Sequence, residues 1–341
     1  MAERAIDFIS IVMPALNEAR HIEAAIASIE PAGAAFDYEI LVLDGGSTDE
    51  TAAIVTRLAA ANPRIRLIAN PERTQAAATN AAARLANARS SLLLRADCHA
   101  HYPPDFAQIC LAAFSAHACA SVVVPMLTVG RSCMQTAIAA AQNSRLGNGG
   151  SSHRIAGSSG YVDHGHHALF DRALFLSVGG YDETMPSNED AELDRRLTEA
   201  GHRIWLCGDA TIEYFPRSDL QSLARQYFAY GAGRASTILR HRMRPKLRQL
   251  FPLFAFTGCL LSLALSVVDV RFAGLAASYL LLCLGWGAVL ALREREPCAL
   301  LAGPAAITMH MAWAIGFLTR LMRTKAQVPQ GAAGPSGICN S

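Results

Sequence analysis

Hydrophobic positions in the first hundred residues form short unbroken runs, separated by segments with helical spacing. FISIVM (8–13), EILVL (39–43), RIRLIA (64–69) and SLLLRA (91–96) read as buried strands, and residues 18–29, 48–60 and the Ala-rich 75–88 read as helices. This alternation predicts right-handed βαβ crossovers and a mostly parallel sheet covered on both faces, an α/β class of Rossmann-like type. Such sheets take ligands outside the carboxyl ends of their strands. The candidate positions are therefore Pro14 to Glu18, Asp44 to Asp49 and Asp97 to His101.

Residues 110–240 are less regular. They hold a strand-like SVVVPM at 121–126, a Gly/Ser/Asn-rich loop at 147–160, a polar-aromatic strand at 161–170 and a helix over 218–241. Another helix is expected after Ser187, because Asn188, Glu189 and Asp190 suit a helix entry and its dipole.

Beyond Arg240 the pattern changes. Arg240, Arg242, Arg244, Lys246 and Arg248 lead into apolar stretches at 250–268, 272–292 and 298–318. Each is long enough to cross a hydrocarbon core of about 30 Å. The basic run places the preceding domain on the cytoplasmic side. Three full crossings would carry Arg320, Arg323 and Lys325 to the opposite side, so one stretch is expected to be re-entrant or interfacial. The expected organisation is a catalytic domain over 1–240, a membrane region with about three apolar helices over 241–325, and a disordered Gly- and Pro-rich tail over 326–341.

Composition supports the membrane reading. Of 341 residues, 52 % are hydrophobic, more than a soluble domain needs. A net charge of +2 argues against a dedicated nucleic-acid binder. The nine cysteines show no C-x-x-C pair or regular spacing, so neither a zinc site nor a disulfide framework is expected, and the scatter fits a reducing compartment. The apolar run in MAERAIDFISIVMP is too short for a secretory signal, so the catalytic part is expected to stay in the cytoplasm.

The strand ends carry the candidate chemistry. In LVLDGGSTDET, Asp44 precedes two glycines that allow a tight turn, and Ser47 with Glu50 has the spacing of a capping box. A carboxylate there can serve a nucleotide's base or ribose, or simply cap a βα turn; PALNE, which sets Pro14, Asn17 and Glu18 on the same rim, favours the nucleotide. In RADCHAHYP, Asp97 is a metal-ligand candidate or a loop carboxylate, and His99 a weaker candidate beside it. In VDHGHH, His164 and His166 would share one face of a strand while His167 points away. Two histidines do not close a metal site, which leaves acceptor contacts or hydrogen bonds.

Taken in order, IVMPALNEARHIEAAIASI, EILVLDGGSTDETAAIV and NAAARLANARSSLLLRADCHAHYP resemble the nucleotide-binding half of glycosyltransferase family 2. GYVDHGHHALFDRALFLSVGGYDE and PSNEDAELDRRLTEAGHRIW resemble its acceptor half. The resemblance covers roughly residues 7–235 and is strongest to the subgroup of succinoglycan-biosynthesis glucosyltransferases. It implies a GT-A fold followed by transmembrane helices, and nucleotide contacts from Pro14, Asn17, Glu18, Asp44 and Arg95. Asp97 would hold Mg²⁺ or Mn²⁺ on the donor diphosphate, a cation suited to carboxylate and phosphate oxygens. Asp190 would be the base of inverting transfer, with Glu189, His164 and His166 on the acceptor.

Two departures stand out. The first acid of the family's metal motif is here Arg95, which could face the diphosphate or enter a salt bridge. The Gln-x-x-Arg-Trp of processive synthases is absent from QSLARQYFAYGAGR, so one sugar is expected per acceptor; Arg225, Gln226 and Arg234 there are diphosphate contacts or a solvated face. The implied activity moves a single hexose, from UDP-glucose by the resemblance, to a lipid-linked saccharide of an exopolysaccharide or cell-surface glycan. It would act at the inner (plasma) membrane, with the catalytic domain cytoplasmic and no nucleic-acid partner. The competing readings are a degenerate nucleotide-binding membrane scaffold, for which Arg95 speaks, and a sugar nucleotidyltransferase, which would want a Gly-rich basic phosphate loop that PALNE does not supply.

Overall fold

A computed structural model of the chain describes residues 6–31, 33–149, 157–185 and 187–326. The strand–helix series runs β1 (Phe8–Ala15), α1 (Ile22–Ile29), β2 (Asp37–Asp44), α2 (Thr51–Ala61), β3 (Ile65–Ala69), α3 (Gln75–Leu85) and β4 (Leu92–Arg95). It continues through β5 (Ala100–His101), α4 (Phe106–Ala116), β6 (Ser121–Val124), β7 (Met126–Thr128), α5 (Cys133–Asn143), α6 (Arg145–Asn148), β8 (Gly160–Val162), β9 (His166–Asp171) and α7 (Arg172–Ser177). Then follow α8 (Glu189–Glu199), β10 (Ile204–Leu206), β11 (Ile212–Tyr214), α9 (Leu220–Arg240), α10 (Leu247–Leu265), α11 (Gly274–Glu294) and α12 (Ala302–Ala326).

Among the described residues the main sheet has eight strands in the order β3-β2-β1-β4-β9-β6-β10-β8, and β5-β11-β7 form a smaller one. β1 runs parallel to β2 and β4 at the sheet's centre, whereas β9 is antiparallel to β4 and β6. The apolar runs are continuous because both faces are covered. Ile9, Ile11 and Met13 pack with Ile22 and Ile26 of α1 on one face, while Val12, Leu41 and Leu43 pack with the alanines of α3 on the other. The strand order switches at β1: the chain steps outward through β2 and β3, then returns to place β4 on β1's other side, and Asp44 ends β2 while Asp97 follows β4 at the carboxyl ends flanking that switch.

The irregular middle of the chain departs from the sequence reading in detail. SVVVPM divides into β6 and β7 at Pro125, which has no N–H to donate to a ladder. The strand expected at 161–170 divides into β8 and β9, with a bend at Asp163 between them and Gly165 pressed so close to β6 that a Cβ would lie 2.4 Å from Val123 Cγ2. Helices α4 and α5 had no counterpart in the sequence reading. Part of the 147–160 loop and tail residues 327–341 lie outside the described residues.

Helices α10, α11 and α12 are long and apolar enough to cross a membrane, but only 6 % of α10's apolar window is buried in the chain against 50 % for α12. Helix α12 lies along α9, and the two meet at glycines: a Cβ on Gly231 would be 2.0 Å from the Trp313 carbonyl oxygen, and one on Gly316 2.0 Å from that of Phe228. Arg320 donates to Ser236 Oγ at 2.9 Å, so the basic end of α12 is held against α9. Replacing Gly231 by alanine should force α9 and α12 apart and destabilise the fold by about 1–3 kcal/mol; a melting temperature equal to that of wild type would contradict this packing.

The cysteine reading needs correction. Cys133 at the start of α5 is joined by a disulfide to Cys298, in the 3-10 turn Pro297–Leu301 ahead of α12. The partners are 165 residues apart, a pairing that spacing cannot reveal. The bond ties α5 to the turn ahead of α12.

Candidate active site

Three strand ends form the rim. The β1 and β2 ends are stapled together: Asn17, at φ 56°, accepts from the Thr48 amide at 2.8 Å, its own amide donates to Ser47 Oγ at 2.9 Å, and the Glu18 amide donates to Thr51 Oγ1 at 2.8 Å. Asp44 accepts from the amides of Gly46 and Ser47 and from the Ser47 hydroxyl. The expected capping box does not form. Ser47 is drawn to the nearer carboxylate of Asp44, and α2 starts later, at Thr51. Pro14 lies within β1, its carbonyl accepting from Cys98 Sγ, and Glu18 Oε1 lies 3.5 Å from His99 Nδ1.

The Asp97 corner is more tightly built. Its Oδ1 accepts from Gln75 Nε2 at 2.9 Å and lies 3.5 Å from Arg95 Nε, while its Oδ2 lies 3.5 Å from His166 Nε2. Burial raises the Asp97 pKa, but Arg95, His166 and His99 together outweigh it and hold the carboxyl below its usual range.

Arg95 projects from the end of β4 with 4 % of its side chain exposed. Its Nη1 lies 2.7 Å from Asp190 Oδ1 and 2.8 Å from the Tyr181 hydroxyl. Tyr181 donates to the same Asp190 oxygen at 2.6 Å. In this structure Arg95 therefore enters the salt-bridge alternative, with Asp190, Tyr181 and Asp97 as its partners.

Asp190 sits in the first turn of α8. Burial raises its pKa, but Arg95, then His167 and His166, and the Tyr181 hydrogen bond hold it well below the usual carboxylate range. Its Oδ1 is taken up by Arg95 and Tyr181; its Oδ2 faces His166 Nδ1 at 3.9 Å. Glu189 stands beside it, its pKa raised by burial and by the Asp190 charge. Asn188, at φ 69°, does not cap α8; its side chain donates to Thr237 Oγ1 of α9, anchoring the helix start.

The histidines separate differently from a regular strand. Because the strand is broken over residues 163–165, His164 and His167 both reach Asp194 of α8, each at 2.7 Å, and His167 Nδ1 also meets Ser121 Oγ at 2.8 Å. Only His166 stands between Asp97 and Asp190. Burial and the Arg95 charge push its pKa down to about 4, against the pull of the two carboxylates, so the ring is neutral near pH 7.

Arg95, Asp97, His164, His166, Glu189 and Asp190 share one cavity of about 880 Å³, whereas Pro14, Asn17, Glu18 and Asp44 stand on the rim outside it. Gln226 and Arg234 line the cavity as well. Sequence reasoning missed Tyr181 and Gln75. The positive-φ pair Gly179-Gly180 that delivers Tyr181 is visible as GG before YDE, but Gln75 leaves no comparable mark.

Among the described residues no group of three or more His, Cys, Asp or Glu side chains could hold a metal ion. Asp97, the carboxylate expected to face a metal, is already flanked by Arg95 and His166. That donor set does not fit a cation held by protein alone. It fits Mg²⁺ or Mn²⁺ whose other ligands are diphosphate oxygens and water.

Known proteins share this organisation. The model of glycosyl transferase family 2 matches residues 10–179. The succinoglycan biosynthesis protein ExoA of Rhizobium meliloti is 45 % identical over 322 residues, covering 93 % of this chain and 96 % of that one. A Methanococcus voltae transferase whose name describes a dolichyl-phosphate-linked sugar acceptor is 24 % identical over 76 % of this chain and 82 % of its own length. Among solved structures, the mannosyltransferase PcManGT of Pyrobaculum calidifontis, in complex with GDP-Man and Mn²⁺, superposes with a TM-score of 0.57 at 19 % identity, covering 92 % of this chain and 87 % of that one. S. aureus TarS 1-349 in complex with UDP-GlcNAc gives 0.51 at 15 % identity, covering 94 % and 92 %. These likenesses show the GT-A fold, and with the ExoA identity across nearly the whole of both chains they place this protein: it belongs to glycosyl transferase family 2 and is a glycosyltransferase.

Proposed function

We propose that the protein transfers a single hexose, with inversion, from a nucleotide sugar such as UDP-glucose to a lipid-linked saccharide in exopolysaccharide synthesis. The observation that carries this reading is the Asp190 carboxylate, oriented through Oδ1 by Arg95 and Tyr181, with Oδ2 3.9 Å from His166 Nδ1, in the cavity that Asp97 shares. An acceptor hydroxyl hydrogen-bonded to Oδ2 loses its proton there as its oxygen attacks the anomeric carbon. The nucleoside diphosphate departs from the opposite face, and the configuration inverts.

Asn17, Glu18 and Asp44 supply the nucleotide rim, and Glu189 and His166 position the acceptor. Asp97 contributes one ligand to the Mg²⁺ or Mn²⁺ that, when bound, neutralises charge on the leaving diphosphate. The apolar helices α10 and α11 keep the site at a membrane, with the catalytic domain on the cytoplasmic side of the plasma membrane.

The test is incubation of membranes containing the protein with radiolabelled nucleotide sugars. Label entering the lipid fraction from one donor supports the reading; none from any donor removes it. Asp97→Ala should weaken UDP binding in the presence of Mn²⁺ by about 10–100-fold and leave binding in EDTA unchanged. Titration calorimetry reads both, and equal affinities for the two proteins in Mn²⁺ would refute the ligand assignment.

A further inference from the structure

The cavity extends beyond the catalytic residues. Its wall includes Arg145 of α6, Arg234 of α9 and Arg248 of α10, together with Phe251 and Pro252 of α10 and Trp313 of α12. No described carboxylate lies within ion-pair distance of the three arginines. The acids nearest in charge to Arg234, Asp163 and Asp194, are already engaged, by Lys246 and by His164 and His167.

The arrangement is built rather than incidental. Gly149, at φ 60°, closes α6 by donating to the Arg145 carbonyl at 3.0 Å, and a Cβ there would touch the Arg248 stem at 3.4 Å. His310 of α12 meets the Leu146 carbonyl at 2.9 Å, holding the same turn from the other side. Burial, and then the facing Arg248, push the Arg234 pKa down to about 10, as expected of guanidinium groups gathered without a counter-ion. Arg234 and Arg248 are half-buried and Arg145 is exposed at the cavity's edge; a cation partly withdrawn from water without a counter-ion is costly, and an anion with several oxygens relieves that cost with bidentate hydrogen bonds.

We propose that Arg145, Arg234 and Arg248 form the subsite for the phosphate or diphosphate headgroup of a lipid-linked acceptor, whose hydrocarbon chain leaves past Phe251, Pro252 and Trp313. The subsite rests on the lipid-linked acceptor proposed above and adds the residues that grip its headgroup. Its position in the Asp190 cavity, beside the start of an apolar helix, matches a ligand with a sugar, a phosphate and a lipid in series.

The test uses the full-length protein in detergent micelles, wild type against Arg234→Gln/Arg248→Gln and Arg234→Lys/Arg248→Lys. Binding of farnesyl diphosphate, inorganic pyrophosphate and UDP is titrated, and transfer of label from nucleotide sugar into membrane lipid is measured in parallel. The expected result is farnesyl diphosphate binding by wild type, weakened at least about tenfold in the Gln pair, recovered in part by the Lys pair, with UDP affinity unchanged as evidence of an intact fold. Equal farnesyl diphosphate binding by the wild type and the Gln pair would overturn the subsite, as would an equal loss of UDP, which would assign the arginines to the donor. Pyrophosphate binding as tight as farnesyl diphosphate would overturn the lipid assignment. If wild type labels lipid and the Gln pair does so equally, the subsite falls while the acceptor reading stands; if wild type labels no lipid, both fall.

Discussion

Asp190→Asn is expected to slow transfer by about 10²–10⁴-fold while nucleotide-sugar affinity stays within about twofold. The amide is nearly isosteric and its oxygen can still accept from Arg95 and Tyr181, so the local scaffold should survive. What it cannot do is receive the acceptor's proton. Single-turnover kinetics at saturating donor isolate that step, and an undiminished rate would sink the base assignment. The low pKa of Asp190 makes the prediction sharper. A carboxylate held ionised by a buried guanidinium is a weak base toward free protons, so its contribution depends on orientation and on the proton moving only as the new glycosidic bond forms. Asp190→Ala should be at least as inactive, and it would also leave Arg95 buried with one partner fewer.

Arg95→Asp restores the acid that the family's metal motif carries at this position, and it is expected to inactivate the enzyme. A carboxylate there would replace the counter-ion of both Asp97 and Asp190, leaving three buried acids together. Like charges at that distance cannot all remain ionised. The lost buried pair alone costs about 3–5 kcal/mol, and misorientation of Asp190 should lower kcat by about a hundredfold or more. In the proposed mechanism Arg95 acts through Asp190, as a positioning residue. Arg95→Lys, which keeps the charge but loses the planar fork, should therefore recover stability ahead of kcat. An Arg95→Asp enzyme that is active, with nucleotide binding more dependent on Mn²⁺ than in wild type, would instead show that position 95 belongs to the metal motif.

Much of the fold was legible in the order of residues. The strand–helix series through residue 96 is written into contiguous residues as unbroken apolar runs and a helical period of 3.6, and the ends of β1, β2 and β4 fall within two residues of the expected places. The three apolar stretches are equally local, since length and composition are all they require. The site was legible in part. NED and RAD marked Asp190 and Asp97, and the conflict between the basic end of α12 and a third crossing was visible as charge alone.

Partnerships between distant residues were not legible. Arg95 and Asp190 are 95 positions apart, and they meet because the chain lays β9 antiparallel beside β4, and α8, following β9, delivers Asp190 to the same strand end. The Asp194 that holds His164 and His167, the glycine contact that lays α12 on α9, and the Cys133–Cys298 bond arise in the same way. The sequence by itself determined the strand–helix series through residue 96 and the three apolar spans, because those choices follow from neighbouring residues and their burial. Only the tertiary structure decided which charge answers which, because a buried ion's partner is set by topology and by what is left to replace its water.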